Sequence, residues 1–557
     1  MGERICSGTP ASPGVGFGNA WHFGEDLDGA AQIPQERRES ERDAALAALA
    51  AAAGELRSVA HDLDGPAAEI VETGALMGED PMLIAAVERA IMADGVAAAE
   101  AILRATAEHA KLIAGLGDET LAARADDVHS LGRRAARLAA GQGATTPPAD
   151  DVILVAHDLG PGDVAEFASA LAGIALAAGG PTAHAAIVAR SLGIPMVTCL
   201  HEGAHEISDG ASVVVDGSSG AVVIEPCSDR ARSAQTDMRI RRLAARRAYE
   251  LRDRPAVTAD GTRVVVLANV ASRAELDVGM RAGAEGIGLL RTELAFLGAR
   301  DWPSEQEHTD ALQPILAGLG HDQPAVVRVL DFGADKSPPF LRDVPQRGIE
   351  LLLVHPAAFV AQLRAVLLAA QRHDVRVMLP MVQTVLDVSR SRGLLEQVAA
   401  QLGIDRLPSL GSMIETPAAA DDAPAIAASS DFLSIGTNDL TSSTLGADRF
   451  AANTARAHHP RVLRSIARAV AAAHEANIPI EVCGEAASDP IMLPLLVGLG
   501  IDELSVGAAR VGPVRDSIRD LSAAEAAGLA RTALTMDSAE EVEAAVRSAT
   551  AERALVK

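Results

Sequence analysis

Between residues 264 and 506, eight short apolar runs recur, and each is followed by a segment of helical character. The runs are Val264–Leu267, Gly286–Leu290, Ala325–Val329, Val375–Leu379, Leu410–Ile414, Phe432–Ile435, Ile478–Val482 and Glu503–Val506. Strand and helix alternating at this spacing predict a parallel sheet covered by helices, and eight repeats are what a (β/α)8 TIM barrel needs to close. In such a barrel the C-terminal ends of the strands share one face, where reactive groups gather. Arg291 follows the second run and Arg328 ends the third. Glu415 follows the fifth, Asn438 and Asp439 the sixth, and Cys483 and Glu485 the seventh.

Together these side chains define a chemistry. Arg291 and Arg328 suit a bidentate grip on phosphate or carboxylate, Arg449 lies past the sixth run, and Lys336 adds a further positive charge. Glu415 and Asp439 are hard oxygen ligands that leave coordination positions open, a pattern suited to Mg²⁺ rather than zinc or copper. Cys483 offers a thiol that can give or take a proton. The set fits a small phosphorylated carboxylic acid bound through a metal. Taken singly, each has a plainer reading: arginines paired to neighbouring carboxylates, carboxylates on a rim, a cysteine buried as a small apolar residue. Their coincidence on one barrel face argues against all of these at once.

A second feature lies upstream. The apolar stretch Gly173–Ala178 runs into Gly179-Gly180-Pro181-Thr182-Ala183-His184, and His184 opens the apolar helix of residues 185–190. Free amides and the positive end of a helix dipole meet there, a natural place for an anion. A neutral imidazole at that point can accept a phosphoryl group. The alternative is a tight Gly-Gly turn with His184 as a simple cap.

At 557 residues the chain is long enough for about three or four domains. Residues 34–138 are rich in Ala, Leu, Glu and Arg and predict an all-helical module, with helices over 36–56, 74–93 and 96–113 and a helix start at Asp80-Pro81. Residues 151–226 alternate strand and helix, and 229–254 read as one long charged helix. The expected division is an α/β domain over 1–27 and 146–228, a helical subdomain over 28–145, a linker helix over 229–256 and the barrel over 257–557. A net charge of −26 disfavours nucleic acid. No apolar run approaches the roughly 20 residues that span a bilayer, so direct membrane insertion is not expected. The four cysteines are widely spaced without a C-x-x-C pair, and reduced thiols in a cytoplasmic setting are the expectation.

With these residues in view, the chain resembles Enzyme I of the bacterial phosphoenolpyruvate-dependent sugar phosphotransferase system. The similar segments are Ala11–Gly14, Gly179–Pro195, Gly283–Glu293 (GAEGIGLLRTE), Val327–Lys336, Met413–Ala420 (MIETPAAA), Ser434–Leu440 (SIGTNDL), Ala447–Arg449 and Cys483–Glu485. They follow the family's order along nearly the whole chain. The resemblance implies a swivelling phosphohistidine α/β domain with an inserted helical subdomain, joined by a linker helix to the barrel. It implies that His184 takes the phosphoryl group on Nε2, and that Arg291, Arg328 and Arg449 bind phosphoenolpyruvate with Asn438 as a donor. Glu415 and Asp439 would hold Mg²⁺, and Cys483 would protonate the enolate to give pyruvate. His184 must be neutral to attack, so acid should slow this step. The family further implies a domain swing, a small HPr-like phosphocarrier docked on the helical subdomain as acceptor, and a homodimer formed through the barrel. A paralogue acting as a regulatory phosphoprotein or scaffold, or a donor to a different carrier, is the alternative.

Three departures stand out. The family's Gly-Gly-Asp-Lys is Gly333-Ala334-Asp335-Lys336. A family arginine falls near Gly348-Ile349-Glu350, which puts Glu350 where a positive charge faces the phosphate. Thr441–Thr444 lacks a Gln-Tyr pair and is expected to alter a loop.

Overall fold

The computed structural model describes residues 3–24, 32–61, 63, 66–114, 119–142, 146–181, 183–333, 336–341, 344–446 and 456–556. The chain divides into two compact units, Met1–Leu243 and Ala244–Lys557.

The first unit begins with strands β1 (Arg4–Ser7), β2 (Thr9–Ser12) and β3 (Val15–His22). Five helices follow: α1 (Arg38–His61), α2 (Pro66–Leu76), α3 (Pro81–Met92), α4 (Ala98–Ala114) and α5 (Glu119–Ala139). The stretch 74–93 divides at the expected helix start, with α2 ending at Leu76 and α3 beginning at Pro81. Pro81 cannot continue a helical ladder, and the Asp80 carboxylate accepts the Met82 N–H to start a new one. On α1, Ala45, Ala48, Leu49, Ala52, Ala53 and Leu56 form a buried stripe at helical spacing. With so few aromatics, alanine on facing helices lets backbones approach and fill the core.

The chain then returns through β4 (Val152–Ala156), α6 (Pro161–Phe167), β5 (Leu171–Leu176), α7 (His184–Ser191), β6 (Met196–Thr198), α8 (Glu202–His205), β7 (Ser212–Asp216), β8 (Ala221–Ile224) and the long α9 (Ser228–Glu250). Strands from both sides of the helical segment form one sheet in the order β1-β8-β7-β3-β4-β5-β6-β2. β3 lies antiparallel to β7 and parallel to β4. The short β6, not anticipated from sequence, is wholly buried between β5 and β2.

The second unit is a closed barrel of parallel strands: β9 (Val265–Val270), β10 (Ile287–Arg291), β11 (Pro324–Arg328), β12 (Asp374–Leu379), β13 (Leu410–Ile414), β14 (Phe432–Ile435), β15 (Ile480–Val482) and β16 (Glu503–Gly507), with β16 pairing back onto β9. All eight expected runs are strands of it. Strands covered on both sides read as near-continuous apolar runs, which is why they were legible. Thr441–Thr444 is not loop: it lies in the helix Thr437–Leu445, where Thr441 Oγ1 donates to Thr437 O at 2.6 Å. Among the described residues, no single helix is long and apolar enough to cross a membrane.

Candidate active site

In the first unit the chain leaves β5 through Gly179, whose φ of +91° suits glycine. Arg190 pins the turn by donating to Ala11 O at 2.6 Å and Pro181 O at 2.7 Å. His184 is the first residue of α7, and Ala183, at the cap, contributes no side-chain bond. The imidazole turns instead to α5: Nδ1 lies 2.8 Å from Asp127 Oδ2. Asp127 is buried, and its second oxygen has no hydrogen-bond partner among the described residues. Burial raises its carboxyl above the usual range, opposed by the His184 bond. Thr182 lies outside the described residues.

In the second unit, Arg291, Arg328, Lys336, Glu415, Asn438, Asp439 and Cys483 line one cleft of about 200 Å³. Arg449 lies outside the described residues, as do Ala334 and Asp335. Each side chain in the cleft is held from behind. Arg328, at the end of β11, pairs with Glu293 and with Asp331 at 3.1 Å. Lys336 Nζ lies 3.0 Å from Asp331 and 3.3 Å from Glu293. Two cations and two carboxylates thus form a fixed network, and its mutual attraction holds Asp331 below the ordinary carboxylate range despite burial. The fully buried Gln362 accepts the Leu330 N–H and donates to Thr292, whose hydroxyl donates to Arg328 O at 2.8 Å. Arg291 lies 3.7 Å from Glu275, and the buried Nε atoms of Arg291 and Arg328 lack partners among the described residues.

Glu415 accepts the Met381 N–H at 2.9 Å, an amide presented by a left-handed residue with φ of +54°. Burial, with Asp331 and Asp439 nearby, pushes the Glu415 carboxyl up to about 8. Gly436 makes room here, because a Cβ on it would meet Glu415 Cγ at 2.7 Å. Excess negative potential on hard oxygens suits a divalent cation. Among the described residues no cluster of three or more His, Cys, Asp or Glu is placed to hold a metal, so two carboxylates would have to be completed by substrate or water.

Sequence reasoning missed the cation that reaches Asp439. Arg347 Nη2 lies 2.9 Å from Asp439 Oδ1. Gly348, with φ of +55°, turns the chain into the helix Gly348–Val354 immediately after Arg347. Arg347 is therefore the last loop residue beside the cleft, and Glu350 is exposed in the first helical turn. The expectation that Glu350 replaces a site cation is corrected: the positive charge sits three residues earlier. Asp127, Glu293, Asp331 and Arg347 were all unassigned from sequence. The last three lay in or beside segments already singled out, but their partners were invisible there.

Comparison with known proteins gives the class. Family models for PEP-utilising enzymes match along the chain: the N-terminal domain over residues 7–124, the mobile domain over 148–220 and the PEP-binding domain over 245–523. The phosphoenolpyruvate-protein phosphotransferase of Streptomyces coelicolor is 36% identical, with 98% of this chain and 99% of that protein covered. That of Geobacillus stearothermophilus is 32% identical, covering 97% of each. A multiphosphoryl transfer protein of Rhodobacter capsulatus is 38% identical over 83% of this chain, which spans 57% of that longer protein. This chain belongs to the phosphoenolpyruvate-protein phosphotransferase family.

Proposed function

We propose that the protein moves the phosphoryl group of phosphoenolpyruvate onto its own His184 and then to a histidine of a small HPr-like carrier protein. The observation that carries this reading is the cleft itself, where guanidinium groups, carboxylates and one thiol converge at the strand ends of the barrel. Arg291, Arg328 and Arg347, with Arg449 and Lys336, neutralise the phosphate and carboxylate of the substrate, and Asn438 donates to it. Phosphoryl transfer needs chiefly positioning and charge neutralisation, which these groups supply.

The Asp127 contact selects the reacting nitrogen. With Nδ1–H donated to the carboxylate, the lone pair lies on Nε2. Nε2 attacks phosphorus, the P–N bond forms, and the bond from phosphorus to the enol oxygen breaks. Asp127 stabilises the positive charge that develops on the ring. Cys483 gives its proton to the methylene carbon of the enolate, and pyruvate leaves. Glu415 and Asp439 would hold Mg²⁺, which when bound offsets the negative charge of substrate and leaving group. Homodimerisation through the barrel and a cytoplasmic site of action belong to this proposal.

The test is incubation with phosphoenolpyruvate labelled in its phosphate, with Mg²⁺. Acid-labile label should appear on His184 with matching pyruvate release. Equal labelling of a His184→Ala variant would overturn the assignment.

A further inference from the structure

Beneath Cys483 the barrel interior holds a carboxylic acid that the reaction above does not use. Glu481 sits at the centre of β15 and is 1% exposed. It faces Ser434 on β14 and Glu503 on β16 in register. Ser434, fully buried, has its Oγ 3.0 Å from Glu481 Oε1 and 3.3 Å from Cys483 Sγ. Glu481 Oε2 is buried without a hydrogen-bond partner among the described residues. The cation acting on this site, Arg376, is engaged across the barrel with Glu503 at 3.2 Å. Among the described residues a carboxylate so placed has one oxygen unsolvated and no counter-ion in salt-bridge contact, whereas a neutral acid suits the site. Burial first, then Glu503, holds its carboxyl well above the usual range, against the opposing pull of Ser434 and Arg376.

We propose that Glu481 is a proton store for Cys483, connected to it through the Ser434 hydroxyl. The inference rests on Cys483 being the acid that completes pyruvate. Once Cys483 has given its proton to carbon, the S–H bond is broken and a thiolate remains. The Ser434 O–H proton passes to Sγ while the Glu481 O–H proton passes to Ser434 Oγ. The result is a neutral thiol, a neutral hydroxyl and a carboxylate facing Arg376. A proton from bulk water restores the acid from the base of the barrel, where the Glu503 and Arg376 side chains are 12% and 23% exposed. Cys483 needs such a route because its sulfur is itself buried, which pushes the thiol well above its usual range.

The test compares two exchanges in heavy water, with enzyme, Mg²⁺, phosphoenolpyruvate and pyruvate present. One is carbon-label exchange between phosphoenolpyruvate and pyruvate. The other is deuterium incorporation into the pyruvate methyl group, read by NMR. Carbon exchange needs Cys483 only to take a proton and return it. Deuterium incorporation needs that proton to reach solvent between the two events. In the wild-type protein both should keep pace. In Glu481→Gln, and independently in Ser434→Ala, deuterium incorporation should fall relative to carbon exchange by about tenfold or more. A purely structural role would lower both together and leave the ratio unchanged, and an unchanged ratio in either folded variant overturns the store. Cys483→Ala separates the two readings. If it retains both exchanges, the role of Cys483 fails. If it loses both while Glu481→Gln keeps the wild-type ratio, the store alone fails.

Discussion

His184 Nδ1 and Asp127 Oδ2 stand 2.8 Å apart although 57 residues separate them in the chain. One opens helix α7 just after the turn that leaves β5, the other lies in the last helix of the inserted module. The module therefore supplies a group that touches the reacting ring, in addition to any surface it offers a carrier.

Asp127→Asn should slow His184 labelling by about a hundredfold or more, because the amide no longer selects the reactive tautomer or balances the charged ring. Phosphoenolpyruvate affinity, measured by calorimetry, should stay unchanged because the cleft lies in the other unit. Wild-type labelling kinetics in this variant would remove Asp127 from the mechanism.

Arg347→Ala should weaken phosphoenolpyruvate binding by about tenfold to a hundredfold, the worth of a charge-assisted hydrogen bond. Glu350→Ala should leave binding at the wild-type level, since that side chain is exposed. The opposite ranking in a titration of the two variants would restore the assignment of Glu350 to the site.

His308 is buried against Phe296, with ring centroids 5.0 Å apart, and its Nε2 has no hydrogen-bond partner among the described residues. Burial depresses it from 6.5 to about 4. The unfolded chain then binds more protons than the folded one between those values, so stability falls as pH drops from 6.5 to about 4 and levels off below. The full effect is of the order of 3 kcal/mol. Thermal melts of His308→Leu over this range should lack that component of the acid sensitivity, and an identical pH slope would refute it.

Arg134 on α5 ties three elements of the first unit. It pairs with Glu55 of α1 at 3.1 Å, with Asp163 of α6 at 3.3 Å, and with Glu166 of α6. Asp163 also receives the Ser130 hydroxyl at 2.6 Å. Arg134→Ala strands the buried Asp163 carboxylate and should cost about 3–5 kcal/mol. Denaturant unfolding of the variant should show a lowered midpoint, while the cleft of the second unit still binds phosphoenolpyruvate.

The barrel was legible because each strand is buried on both sides and so spells an apolar run, and because strand-end positions convert directly into a common face. Partnerships across the fold were not. Nothing near residue 127 announces a histidine partner, and nothing near Arg328 announces Glu293, which ends a different strand–helix unit. Arg347 was displaced in the reading because Glu350 was set against the family arginine, whereas the turn at Gly348 leaves Arg347 beside the cleft. Glu481 was hidden inside the run Ile478–Val482, where its neighbours' apolarity masked a carboxyl group pointing inward.

The place of β3 has a consequence for biogenesis. The strand ends at His22, yet its neighbours begin at Val152 and Ser212. During synthesis it emerges early and stays unmatched until well over a hundred further residues have left the ribosome. The intervening helices, whose contacts are local, can form first. Assembly of this half of the molecule thus runs out of order with translation, and a nascent chain halted before Val152 would carry a compact helical bundle beside a bare, adhesive ribbon.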